Sequence, residues 1–180
     1  LEGTLKKTKQ TIDYLHGNKP LVSVINFTGT PYVKNRMIAD VMYHYGLKQG
    51  IEQGILKQVR FFDYTNVRTE AFIEDVIGKF WEEYGEQRLE DRLPKIAFYA
   101  AGIDDVQSDL RPTLERVLVR LGIDLQKVLE YHTEAEDSKA AFTALDTPES
   151  PYQFVLLVGK GTEGWNCRSL VSCALYRKPK

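Results

Sequence analysis

The chain has 180 residues, 43% of them hydrophobic and 27% charged, with a formal net charge of −1. That balance fits one good-sized globular domain, or one domain plus part of another, and it excludes nucleic-acid binding by bulk positive charge. No apolar run approaches the roughly 18 residues of a membrane span, and two cysteines are too few for a disulfide scaffold or a four-ligand metal site, so reduced thiols and a cytoplasmic setting are expected.

Leu5, Ile12 and Leu15 are loosely spaced for a helix, which Gly17-Asn18-Lys19-Pro20 breaks. Leu21 to Phe27 is a β-branched apolar run that predicts a buried strand, ending at Thr28-Gly29-Thr30-Pro31. Met37, Ile38, Val41, Met42 and Tyr45 then mark one face of a helix, with Asn35 to cap it and Gly46 to end it. Leu47, Ile51 and Ile55 predict a short second helix, weakened by Gly50 and Gly54. Val59 to Tyr64 reads as a strand, and Phe72, Ile73, Val76, Ile77, Phe80, Trp81 and Tyr84 form the clearest helical stripe, closed by Gly85.

A strand over 95–101 follows, then a helix carrying Val106, Leu110, Leu114, Val117, Leu118 and Leu121, which Pro112 should kink or divide and Gly122 should end. A strand over 128–132, a helix around 138–145, and strands at Phe154 to Val158 and Leu170 to Tyr176 complete the series. Alternating strands and helices specify an α/β fold whose parallel sheet is covered by helices on both faces.

Three strand ends carry the chemistry. Thr28-Gly29-Thr30-Pro31 offers two hydroxyls and a relieved strand end, and Pro31 removes an amide from any ladder. Lys95-Ile96-Ala97-Phe98-Tyr99-Ala100-Ala101-Gly102 ends in small residues before Asp104-Asp105 and a helix, so its backbone can approach a phosphate chain. The two aspartates suit helix capping better than catalysis. The third is the apolar strand ending at Gly159-Lys160-Gly161-Thr162-Glu163-Gly164-Trp165-Asn166, at the carboxyl end of a buried strand, where open α/β sheets hold their ligands. Its Lys160 does not belong to a P-loop, because Phe154 stands where the first glycine would be and Gly161 follows the lysine. Trp165 reads as a packing anchor and Cys167 as a buried thiol. The histidines are scattered and no metal set is expected; His132 with Glu134 and Glu136 reads as a charged strand exit.

The phrase Gly161-Thr162-Glu163-Gly164-Trp165-Asn166 resembles motif V of superfamily 2 helicases of the DEAD/DEAH type, closest to the Res subunits of type III restriction enzymes. Phe27 to Tyr32 resembles motif III of the same proteins, the 95–102 segment resembles motif IV by position, and Tyr45 to Lys57 looks like the linker between their two RecA-like domains. The resemblance implies a RecA-like (P-loop NTPase-type) fold. Residues 1–32 would be a remnant of the first RecA-like domain, 33–57 a helical linker, and 58–180 the second helicase domain, stopping before motif VI. It also implies roles: Thr28, Gly29, Thr30 and Pro31 in coupling nucleotide state to domain movement; Ala101, Gly102, Lys160, Gly161 and Thr162 in nucleic-acid contact; and Glu163, Gly164 and Asn166 towards the nucleotide. Many relatives carry Asp where this chain has Asn166, which keeps the hydrogen bonding and loses the charge.

The parent implied is an ATP-dependent helicase or translocase on duplex DNA, using ATP and Mg, joined by its remaining domains and a methyltransferase or specificity subunit. Neither a Gly-x-x-x-x-Gly-Lys-Ser/Thr sequence nor a Walker B element occurs before Thr28. The chain alone is therefore expected to be inactive as an ATPase and to hold no cofactor. The competing expectations are a non-enzymatic RecA-like module that binds DNA or a protein, and a flavodoxin-like small-molecule enzyme, for which Thr28-Gly29-Thr30-Pro31 is a poor phosphate loop. In the helicase reading, the strand over 21–27 lacks the rest of its sheet. It is expected to pack irregularly, pair with another copy, or be poorly ordered.

Overall fold

The computed structural model describes residues 2–29, 31–34, 36–38, 41–159 and 165–177. The chain divides into two compact units, Leu1–Arg60 and Phe61–Lys180.

The first unit contains α1 (Glu2–Asn18), a minimal antiparallel ladder of β1 (Tyr32–Val33) with β2 (Arg36–Met37), and α2 (Leu47–Glu52). Gly50 is its one buried residue among those described. Two expectations are corrected here. Leu21 to Phe27 has no regular structure and joins no ladder, and Val22 and Phe27 are 103% and 95% exposed. A run apolar on both faces needs a neighbouring strand on its edges and a layer above and below, and the described residues of this unit supply neither. The helix expected over Met37 to Tyr45 is absent among the described residues: Met37 is in β2, and Met42 and Tyr43 lie exposed without regular structure. Among the described residues of this unit its apolar stripe finds no core to bury against, and a short helix gains too little from propensity alone.

The second unit is an α/β domain with an all-parallel four-stranded sheet flanked by helices, consistent with a RecA-like fold. Its elements are α3 (Glu70–Tyr84), β3 (Lys95–Ala100), α4 (Ile103–Asp105), a π-helical turn (Val106–Leu110), α5 (Arg111–Arg120), β4 (Val128–Tyr131), α6 (Lys139–Thr143), β5 (Phe154–Leu157) and β6 (Leu170–Tyr176). The strand order is β4-β5-β3-β6. The strand read over Val59 to Tyr64 does not form. Phe61 and Phe62 are exposed there, and Tyr64 packs against α3, edge-on to Phe72 with ring centroids 4.8 Å apart.

The stripe from Phe72 to Tyr84 does form a helix. Thr69 caps it, its hydroxyl accepting the Phe72 N–H at 3.2 Å. Gly85 ends it where a Cβ would lie 2.6 Å from the Trp81 ring. Thr69→Ala is expected to cost about 1 kcal/mol, the usual worth of an N-cap, seen as a lower urea midpoint with an unchanged slope. Pro112 divides the next helix as its chemistry requires. It has no N–H to give Ser108, so the turn before it takes wider π hydrogen bonding and a regular helix resumes at Arg111. Gly122 closes that helix at φ +69, with Ile123 N–H bonded to Leu118 O at 2.9 Å.

Alternation along the strands sorts the core into two layers. Ile96, Phe98, Phe154 and Leu156 meet α3 and α5, and Ala97, Val155, Leu157 and Leu129 meet α6 and the segment around Trp165 and Cys167. β5 is buried over its whole length, as a central parallel strand must be.

Candidate functional site

β3 and β5 are neighbours in register, with Ala97 opposite Val155 and Tyr99 opposite Leu157. Their outgoing chains part. β3 runs through Ala101 and Gly102 into α4 and α5 on one face, whereas the chain leaving β5 is next described at Trp165 and Cys167 on the other. Adjacent parallel strands whose chains lead to opposite faces make the topological switch point of an open α/β sheet, the place where such folds bind ligands in a crevice beyond the carboxyl ends. Two of the segments singled out in the sequence therefore begin side by side.

Ala101 is exposed and Gly102 is extended, at φ −149 and ψ 168. A Cβ on Gly102 would find only the Asp105 carboxylate, at 3.9 Å, so its backbone is open to a ligand. Gly159, at φ +62, turns β5 out of the sheet in a conformation that other residues rarely adopt. Lys160, Gly161, Thr162, Glu163 and Gly164 lie outside the described residues, as does Thr30. Asn166 is exposed, and Trp165 is half-buried, stacked on Phe142 at 5.1 Å, which stacks on Tyr131 at 4.1 Å. Trp165 thus anchors its segment to α6 and the end of β4. Thr28, Gly29 and Pro31 belong to the first unit. Thr28 and Gly29 are exposed, and Pro31 O accepts the Ile38 N–H at 2.8 Å.

The carboxyl edge carries a charged cluster that sequence reading missed. Arg68, in the loop before α3, pairs with Asp105 at 2.8 Å, and its guanidinium lies over the Tyr176 ring at 5.7 Å. The Tyr176 hydroxyl donates to Asp109 at 2.7 Å, and burial with that carboxylate pushes the phenol up, so it stays protonated. Asp104 and Asp105 fill the first turn of α4, but no side chain caps that helix; Asp105 is spent on Arg68. At the end of β4, buried His132 donates from Nε2 to Glu130 at 2.9 Å and accepts the Glu134 N–H at Nδ1. The other Glu130 oxygen takes Arg111 at 2.9 Å. These are paired structural charges, and among the described residues no group of three His, Cys, Asp or Glu could hold a metal.

The opposite edge of the sheet is a structural lock. Asp146 accepts the backbone N–H groups of Arg168 and Ser169, each at 3.0 Å, and the Ser169 hydroxyl. Arg92 donates to its carbonyl at 2.7 Å. Burial raises the Asp146 carboxyl, but those donors and the Arg92 charge outweigh it and hold the group below the usual range. Burial pushes the neighbouring Lys95 down and the Cys167 thiol up, which makes Cys167 a poor nucleophile. Cys173, the other cysteine, is exposed and forms no disulfide.

No family model, no curated protein and no solved structure matches this chain.

Proposed function

We propose that the second unit is a nucleic-acid-binding RecA-like module of the superfamily 2 helicase type, closest in its motifs to the Res subunits of type III restriction enzymes. The observation that carries this reading is the switch point, because it brings the motif IV-like turn at Ala101 and Gly102 beside the exit of the motif V-like segment at Gly159. Backbone amides and small residues at such a crevice suit a phosphodiester chain. In this reading Ala101, Gly102, Lys160, Gly161 and Thr162 meet duplex DNA. Glu163, Gly164 and Asn166 form the side turned to a nucleotide bound by another domain, and Thr28 to Pro31 couple the two.

ATP and magnesium belong to the parent reading, and the residues present do not fit them. The sequence has no Gly-x-x-x-x-Gly-Lys-Ser/Thr cradle, and the described residues offer no metal-binding trio. No hydrolytic step is assigned to this chain. The absence of that cradle equally favours a second reading, a non-enzymatic RecA-like module that binds DNA passively.

The test is fluorescence polarisation of a short labelled duplex with the purified chain across a salt series, run beside an ATPase assay with and without DNA. Salt-sensitive binding with no ATP turnover is expected. DNA-stimulated turnover would remove the domain assignment, and no binding at low salt would remove the nucleic-acid reading. The passive module is distinguished by adding the separately expressed ATP-hydrolysing domain of a Res subunit, which should then leave DNA affinity and turnover unchanged.

A further inference from the structure

We infer that Arg68 is a phosphate-contacting residue of the carboxyl edge, binding the phosphodiester backbone of duplex DNA beside the Ala101–Gly102 turn. The inference rests on the nucleic-acid reading above and adds a second cation to an interface that the reading otherwise builds from Lys160, backbone and small side chains. Arg68 reaches this edge through two contacts. Asp105 holds Nη1 at 2.8 Å, and the Tyr176 ring lies beneath the guanidinium at 5.7 Å. Asp105 is also the group that a Gly102 Cβ would meet, so a single carboxylate separates the guanidinium from the exposed turn. Tyr176 is itself fixed by its bond to Asp109, so the platform under the guanidinium is rigid.

Despite these contacts the Arg68 side chain remains 47% exposed. A guanidinium carries five donors in a planar fork, and among the described residues the Asp105 bond uses one of its nitrogens, leaving the others to meet phosphate oxygens. A group already ordered by an ion pair and a ring loses less side-chain entropy on binding than a free surface arginine does. A purely structural role is the competing account: Arg68 could simply tie the loop before α3 to α4 and β6.

Two variants separate these accounts because both break the same ion pair. Arg68→Gln removes the cation, whereas Asp105→Asn leaves it in place. In the polarisation assay, Arg68→Gln is expected to weaken duplex binding about fivefold and to lower the slope of log affinity against log salt by about one. Asp105→Asn is expected to bind at least as well as the parent chain, and Arg68→Lys to retain most of the affinity. Thermal melting of each variant shows whether the fold is kept; if Arg68→Gln does not fold, the Lys and Asn variants carry the comparison. Equal losses in Arg68→Gln and Asp105→Asn, or in their stead equal losses in Arg68→Lys and Asp105→Asn, overturn the inference in favour of the structural role. An unchanged Arg68→Gln, with the parent chain binding normally, overturns it alone. No binding by the parent chain overturns the nucleic-acid reading with it.

Discussion

Phe154→Ala is expected to destabilise the second unit by about 3–5 kcal/mol, the range for truncating a buried aromatic. Phe154 is fully buried at the start of β5, between β4 and β3. Its ring meets Phe80 edge-on at 5.6 Å and Trp81 nearly parallel at 6.1 Å. The loss combines two parts: the transfer of the ring from water, and a void that α3 cannot close without dragging Phe80 off its own contacts. Phe154→Leu fills most of that void and is expected to cost about half as much. Urea unfolding followed by far-UV circular dichroism checks this, and a loss below about 1 kcal/mol for the alanine variant would show that α3 collapses freely onto the sheet.

Asp146→Ala is the second large effect, expected at about 2–4 kcal/mol near neutral pH from the loss of several charge-assisted hydrogen bonds. Removing the carboxylate strands the Ser169 N–H and leaves its hydroxyl only the weak Cys167 Sγ contact at 3.7 Å, in a residue that is 1% exposed. Asp146→Asn keeps an acceptor for Ser169 but turns an NH₂ group towards the Arg168 N–H, so it should recover only part of the loss. The pH dependence follows in sign. The folded carboxyl lies below its ordinary range, so its contribution is complete above the unfolded value of about 3.9 and is lost as the pH falls through the folded value. Chemical unfolding between pH 7 and pH 3 should show an acid-side decline in the parent chain that is shallower in Asp146→Ala. Parallel declines would mean that other carboxylates govern acid unfolding.

What the sequence made legible follows from what hydrophobic patterning measures. The stripe from Phe72 to Tyr84 and the run from Phe154 to Leu157 state a demand for burial, and the second unit meets it with a facing layer. Leu21 to Phe27 and Met37 to Tyr45 state the same demand as strongly. Among the described residues of the first unit nothing answers it, so the patterning predicts a buried strand and a helix where exposed chain is found. Periodicity cannot report whether a partner layer exists.

The site divides along a similar line. Gly102 and Gly159 stand out because strand-end glycines are a local signal. Arg68 and Asp146 do not, because their roles arise from partners brought close by folding: Asp105 across the α3–β3 unit, and the amides 22 and 23 residues beyond Asp146. An arginine in Asn66-Val67-Arg68-Thr69 and an aspartate in Leu145-Asp146-Thr147-Pro148 look like ordinary loop residues. Pro112 is the contrary case, since a missing N–H acts on its own neighbours and the resulting change of helix could be read directly.

The two-layered core also gives the domain a built-in pair of optical reporters. Trp81 packs in the layer of α3 and α5, and Trp165 in the layer of α6. The chain has no other tryptophan. Excited selectively through tryptophan, each layer emits through its own indole. A Trp165→Phe chain then watches one side of the sheet and a Trp81→Phe chain the other. The cooperativity of the two layers becomes a matter of comparing two emission curves rather than of inference.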